Sequence, residues 1–239
     1  MSSEQLHTQH SELVEPDFVL TEEVLLAGAE IKEGWVIIPK FVPIEQVAIP
    51  WIQAAAKAVC PLTDTNNNPP ATIFHFRDNI WVTNHHCIQF QSGRTIEEKL
   101  ENSVIAANQR LSLKGAKYWP HKVPKFDYRG ADDIIVIQTE VSNIPQLNSP
   151  TRRIQRGQQL PSVMIGYPYG LPPKKAPYVS FGSETLLYDD SSILGYTRLR
   201  WKDGNSGSPV FDTVGNLIGI FSGSFQAIQR VEELVDELR

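Results

Sequence analysis

Lys202-Asp203-Gly204-Asn205-Ser206-Gly207-Ser208-Pro209-Val210-Phe211 places one serine between small residues, with Pro and then apolar side chains behind it. A nucleophile in a tight loop at the head of a strand has this form. Gly204 and Gly207 let the backbone turn where a side chain would collide. Such a turn, running Gly204-Asn205-Ser206, can aim backbone amides, those of Gly204 and Ser206 above all, at the point where an oxyanion sits. An isolated Gly-Asn-Ser-Gly is equally a polar turn before an ordinary strand, so other stretches must decide. Ile80-Trp81-Val82-Thr83-Asn84-His85-His86-Cys87 reads as an apolar strand ending in a histidine-bearing turn. Ala131-Asp132-Asp133-Ile134-Ile135-Val136-Ile137 puts a carboxylate at the mouth of a fully apolar strand. His, then Asp, then Ser is one of the chain orders in which a serine triad occurs.

These stretches, Thr-Asn-x-His, Asp-Ile-x-x-Ile and Gly-Asn-Ser-Gly-Ser-Pro-Val-Phe, resemble the chymotrypsin-like serine peptidases, and among them most of all the HtrA and glutamyl-endopeptidase branch. Ile165-Gly166-Tyr167-Pro168-Tyr169-Gly170 is similar to that family's Gly-x-Pro-x-Gly turn, and Gly215-Asn216-Leu217-Ile218-Gly219-Ile220 follows the serine as it does there. The resemblance runs from about residue 51 to the C-terminus. It implies an all-β fold: two packed six-stranded antiparallel β-barrels with a C-terminal helix, here with an added N-terminal segment. On this division residues 1–50 are the extension, 51–145 the first lobe with His and Asp, and 146–239 the second lobe with Ser. The PDZ domain that HtrA proteins usually append has no counterpart in these residues.

The chain has 239 residues and a net charge of −5, so no nucleic-acid partner is expected. Seventeen Pro and fifteen Gly suit a fold rich in turns. No apolar run approaches the ~20 residues that span a membrane, and the N-terminus lacks the basic start and apolar stretch of a signal peptide. With only Cys60 and Cys87 present, a reducing, cytoplasmic setting is expected. In the family the cysteine after the catalytic His pairs with one in the preceding hairpin strand. Cys60 lies outside that position, which favours free thiols over a disulfide.

Residues 1–17 read as a mobile polar tail. Phe18–Leu20, Val24–Leu26 and Trp35-Val36-Ile37-Ile38 are too apolar to stay in water and should pack on the barrels. A short helix is predicted over 51–59, with Pro50 in its first turn. A hairpin is predicted to turn on Arg77-Asp78-Asn79. Ile96–Leu100 is helix-prone, 139–160 is a polar crossing between lobes with the basic pair Arg152-Arg153, and Gly195–Trp201 is a strand. Ile228, Val231, Leu234, Val235 and Leu238 recur on one face of a closing amphipathic helix. Lys and aromatic residues mix over 111–128, which reads as a strand with one solvated face.

A serine hydroxyl needs a base that titrates near neutrality, which is imidazole. The resemblance implies His86 as that base, because it directly precedes Cys87, and Asp133 rather than Asp132 as its partner. Ser206 is then the nucleophile, and the Gly204–Asn205–Ser206 loop the oxyanion hole. Trypsin has Asp where Asn205 stands, and Asn cannot take the ion pair of zymogen activation. Arg200 occupies the position at the base of the primary pocket, where it would reject basic side chains and favour acidic ones. Arg198, Arg200 and Lys202 also alternate with Leu199 and Trp201, so a solvated basic face with Trp201 buried is the plainer reading. Ser222-Gly223-Ser224 is expected to be the strand that pairs with extended substrate. Acidic and medium apolar specificities stay level. No metal or cofactor is expected. The partners expected are a protein or peptide substrate and a regulatory protein or the N-terminal piece gating the site. A silent pseudoprotease that binds peptides is the alternative. An α/β-hydrolase is disfavoured because Ser208 stands where its second elbow Gly belongs and His comes first. A His85-His86-Cys87 metal site is disfavoured because contiguous ligands diverge.

Overall fold

The computed structural model describes residues 18–30, 41–65, 71–106, 110–120, 133–140, 142–171, 176–187 and 194–239. The expected tail 1–17, the Trp35–Ile38 segment, Asp132 and part of the 111–128 stretch lie outside these. From the N-terminal side come α1 (Glu22–Glu30), β1 (Val42–Pro43), a 3-10 turn (Ile44–Gln46) and α2 (Pro50–Ala56). Pro50 is at the first turn of α2, where its missing N–H costs nothing.

The first sheet is built from β2 (Val59–Asp64), β3 (Ala71–Arg77), β4 (Ile80–Asn84), β5 (Ser103–Ala106), β6 (Arg110–Ser112), β7 (Lys117–Trp119) and β8 (Ile134–Gln138). Its antiparallel order is β6-β5-β2-β3-β4-β8-β7. The β3–β4 hairpin turns at Asp78 (φ 51°) and Asn79 (φ 59°), the two residue types that enter the left-handed region most readily after glycine. Between β4 and β5 lie α3 (His85–Gln89) and α4 (Ile96–Glu101). The Thr95 hydroxyl caps α4 by accepting from the Glu98 amide at 3.2 Å.

The second sheet uses β9 (Gln159–Gly166), β10 (Tyr178–Leu187), β11 (Leu194–Thr197), β12 (Pro209–Asp212), β13 (Leu217–Phe221) and β14 (Phe225–Ala227). Because β9 pairs with both β10 and β12, these six close into a ring. The two packed antiparallel β lobes with a C-terminal helix are as expected, and the strand counts add detail. Among the described residues the first sheet has seven strands with no pairing between its β6 and β7 edges, while the second carries β1 as a seventh strand. The β1 pairing, Val42 with Val179 and Pro43 with Tyr178, takes the part of β10 that β11 does not reach. The expected Gly195–Trp201 strand ends at Thr197, whose hydroxyl accepts the Leu199 amide at 3.2 Å and so diverts the backbone from the ladder.

Among the described residues three large apolar clusters follow from this layout, beside a small one of Phe41, Leu171 and Tyr178. One fills the first lobe (Leu62, Ile73, Trp81, Ile135, Ile137) and one the second (Met164, Val210, Ile218, Phe225). The largest lies between the lobes and takes side chains from both sheets, from α2, and from Leu20, Leu25, Val42 and Val47 of the N-terminal segment. The segment is therefore a wall of the core rather than an appended tail. The last helix, α5 (Ile228–Leu238), buries Ile228, Val231, Leu234 and Val235 as its period requires. It packs on β13 of the second lobe and also on β7 and β8 of the first. The Trp119 indole donates to Glu237, and Arg239 pairs with Asp78 at 2.5 Å. The crossing between lobes is pinned by Arg152 on buried Asp212 (2.9 Å) and by Arg153 on Glu232 of α5 (3.0 Å).

Candidate active site

The β4–β8 register brings Asn84 opposite Ile134, so the residues just past each end, His85-His86 and Asp133, meet. The chain does not continue as a strand there. It turns into α3, and three groups converge on Asp133: the His85 amide (3.1 Å) and Asn84 side-chain amide (2.9 Å) donate to its carbonyl, and the His86 amide donates to Oδ1 (3.0 Å). The second carboxylate oxygen, Oδ2, lies 2.5 Å from His86 Nδ1. Both side chains are shielded, 13% and 9% exposed. Burial alone would push the His86 ring down, but the Asp133 carboxylate, then the Cys87 sulfur, outweighs it and holds the ring up to about 10. His86 Nε2 lies 3.7 Å from Cys87 Sγ.

Ser206 arrives from the other lobe on a loop with two left-handed glycines, Gly204 (φ 93°) and Gly207 (φ 88°). A Cβ on Gly207 would sit 2.0 Å from the Thr72 carbonyl oxygen, so no other residue fits there. The Asn205 amide donates to Lys202 O and the Ser208 amide to Asn205 O, which closes the loop on itself. The Gly207 amide donates to Phe221 O and the Phe221 amide to Ser208 O, fastening it to β13. Among the described residues, no backbone group takes the amides of Gly204 and Ser206. Asn205 is thus corrected as an oxyanion donor: its amide is spent in the turn, and its buried side chain accepts from the Lys202 amide at 3.1 Å.

Thr72 of β3 latches the two lobes at this point, a role that no sequence pattern marks. Its amide donates to Ser206 O (2.9 Å) and its hydroxyl to Gly204 O (2.8 Å). The same hydroxyl accepts the Tyr167 amide (3.0 Å), and its carbonyl accepts Thr83 Oγ1 (2.7 Å). The Gly166–Gly170 turn lies directly beneath: a Cβ on Gly166 would come 2.0 Å from Ser208 Oγ, and the Tyr169 amide donates to Asp203 O at 2.5 Å. A threonine in an apolar strand looks like any β-branched residue; only its hydrogen bonds across the lobes distinguish it. Thr72→Val keeps the shape, removes the hydroxyl and leaves the buried Tyr167 amide unpaired. It is expected to cost about 1–3 kcal/mol in stability, read from denaturant unfolding, with slower reaction of Ser206.

Other expectations are revised. Ser222-Gly223-Ser224 is not a strand. It is the turn between β13 and β14, with Gly223 at φ 80° and the Ser222 amide donating to Ser224 O. Trp201 is not buried but 56% exposed, tilted against Phe221 at 6.0 Å between ring centres. Arg200 is exposed on irregular chain, while Leu199 is the buried residue. His85 is buried, and neither ring nitrogen has a hydrogen-bond partner among the described residues. Cys60 and Cys87 are free and buried, and burial pushes the Cys60 thiol up to about 12. Among the described residues no group of three or more His, Cys, Asp or Glu is placed to hold a metal ion.

Two antiparallel β lobes, one ending in an Asp–His pair and the other carrying a serine loop that Thr72 of the first lobe holds, define the architecture of a peptidase-type hydrolase. The family model for the trypsin-like peptidase domain matches residues 71–220, well over half of the sequence, and the chain belongs to that family. Among solved structures it is similar to the serine endoprotease from Yersinia pestis, at 20% identity and a TM-score of 0.54, covering 79% of this chain. It is also similar to Deg5 (18%, TM-score 0.56), covering 79% of this chain and 92% of that one. A third likeness is to the HtrA-type protease AlgW, in a serine-to-alanine form with tripeptide (20%, TM-score 0.52), covering 78% of this chain. The chain spans 65% of the Yersinia chain and 61% of the AlgW chain. At such identities the likeness is one of fold. No curated protein matches the sequence.

Proposed function

We propose that the chain is a serine endopeptidase working through His86, Asp133 and Ser206 and an acyl-enzyme intermediate. The observation that carries this reading is the double grip of Asp133 on His86, at 3.0 Å to its amide and 2.5 Å to Nδ1. That grip fixes the ring's orientation and keeps the Nδ1 proton, which leaves Nε2 as the atom that exchanges protons. Ser206 Oγ attacks the peptide carbonyl as Nε2 takes its proton. The oxyanion is received by the amides of Gly204 and Ser206; losing one such donor typically costs about 3 kcal/mol of barrier. The imidazolium then protonates the leaving amine, and water repeats the sequence to free the acyl group. The free buried thiols suit a reducing, cytoplasmic setting.

The test is fluorophosphonate labelling of the full chain with peptide mapping, beside Ser206→Ala. One adduct on Ser206, lost in the variant, is expected. No adduct on folded protein would overturn the reading.

The pH dependence follows from the charge on His86. A base must be neutral to act, and the ring holds its proton well above the ordinary 6.5, up to about 10. The labelling rate is therefore expected to climb through neutral and alkaline pH, with its midpoint above 6.5. A midpoint at or below 6.5 would contradict it. Stability runs the other way: the raised pKa contributes fully below pH 6.5 and is lost as pH rises through about 10.

A further inference from the structure

Six large apolar side chains are exposed among the described residues, and three of them belong to residues tied by a ring contact or a backbone hydrogen bond to the proposed catalytic groups or the segments that hold them. Phe90 is 80% exposed and meets the His86 ring edge-on, 5.7 Å between centres. Trp201 is 56% exposed and leans on Phe221, the residue whose backbone holds both Gly207 and Ser208. Tyr169 is 48% exposed, and its amide binds the carbonyl of Asp203, the residue before Gly204. Each is anchored by its backbone or by a ring contact to a different part of the site: the base, the strand behind the nucleophile, and the oxyanion turn. Aromatic side chains left in water around a point of chemistry are placed to be covered by what binds there.

We infer that Phe90, Trp201 and Tyr169 determine specificity, and that the site takes an extended peptide carrying bulky apolar side chains on both sides of the scissile bond. The inference rests on the peptidase reading for its location, because the occupant is the substrate of that same site. Leaving-group chemistry sorts the three. The base must protonate the departing amine, so Phe90, packed on His86, faces the half that leaves. Tyr169 and Trp201 flank the loop that holds the carbonyl, so they face the half that is acylated. An acidic substrate, the other possibility raised by Arg200, gains nothing from these three rings.

The test separates this inference from catalysis by measuring binding on Ser206→Ala protein, which binds without turnover. Two labelled decapeptides are compared by fluorescence anisotropy, one with Phe and Leu flanking the central bond and one with Glu at those positions. The apolar peptide is expected to bind at least about tenfold more tightly. Trp201→Ala and Phe90→Ala should each weaken it by about tenfold, Trp201→Phe should restore most of the loss, and Val214→Ala, exposed elsewhere at 67%, should change nothing. Equal binding of both peptides, preference for the acidic one, or insensitivity to both aromatic substitutions overturns the inference. Failure of the peptidase reading shows separately, as wild-type protein that fluorophosphonate does not label.

Discussion

Replacing Asp133 with Asn is expected to lower kcat/KM on peptide substrates by about 10⁴-fold while leaving the protein folded. The reason lies in two hydrogen bonds that a carboxylate can accept together and an amide cannot. Asp133 Oδ1 accepts the His86 backbone N–H at 3.0 Å, and Oδ2 faces Nδ1 at 2.5 Å. If the Asn oxygen stays on the backbone amide, its NH2 faces Nδ1, which must then accept. The ring proton is forced onto Nε2, and Nε2 cannot take the proton of Ser206. If the Asn flips, two donors face each other in a shielded site, at about 1–3 kcal/mol for each group left unpaired. In either arrangement the charge that holds the imidazolium is gone, so the pH midpoint should fall from its raised position toward 6.5. Steady-state kinetics against Ser206→Ala, with a pH profile of residual activity, provide the check. A variant within tenfold of wild type would mean that the pair is structural only.

Deleting residues 1–45, which would free the site if that segment were a removable gate, is expected instead to abolish the cooperative fold. The deletion takes away Leu20, Leu25, Phe41 and Val42, all buried. At about 1.5–3 kcal/mol for each buried side chain, the loss is roughly 6–12 kcal/mol as an upper bound. Whole domains of this size are stable by only about 5–15 kcal/mol. The deletion also removes β1 and bares the β10 edge at Tyr178–Val179. Thermal unfolding with size-exclusion chromatography decides it. A monodisperse protein with an unshifted transition would return these residues to the role of a detachable cover.

Much of the site was legible because its chemistry is local. Gly-Asn-Ser-Gly carries its own geometry, since left-handed turns at Gly204 and Gly207 admit hardly any other residue. The histidine and the aspartate each ended an apolar strand, and strand ends in neighbouring positions meet. The Asp78-Asn79 turn, Pro50 opening α2 and the apolar period of α5 were readable for the same reason: each depends on residues a few positions apart.

Other features depended on partners far along the chain. Thr72 could not be singled out, because its bonds run to Tyr167, Gly204 and Ser206 on the other lobe. Trp201 reads as buried from alternation, but alternation holds only while the strand lasts, and Thr197 ends it. Ser222–Ser224 reads as an edge for substrate, yet Gly223 makes it a turn. The sequence by itself determined the order of the three candidate residues, because each sits in a local motif, and the resemblance of those motifs to chymotrypsin-like peptidases implied the trypsin-like class and the two-lobed β plan. The tertiary structure alone decided that Leu20, Leu25, Val42 and Val47 pack between the lobes rather than on one of them, that Asn205 closes the serine turn, and which aromatic side chains stay in water. Those outcomes depend on which surfaces meet, and no local pattern encodes that.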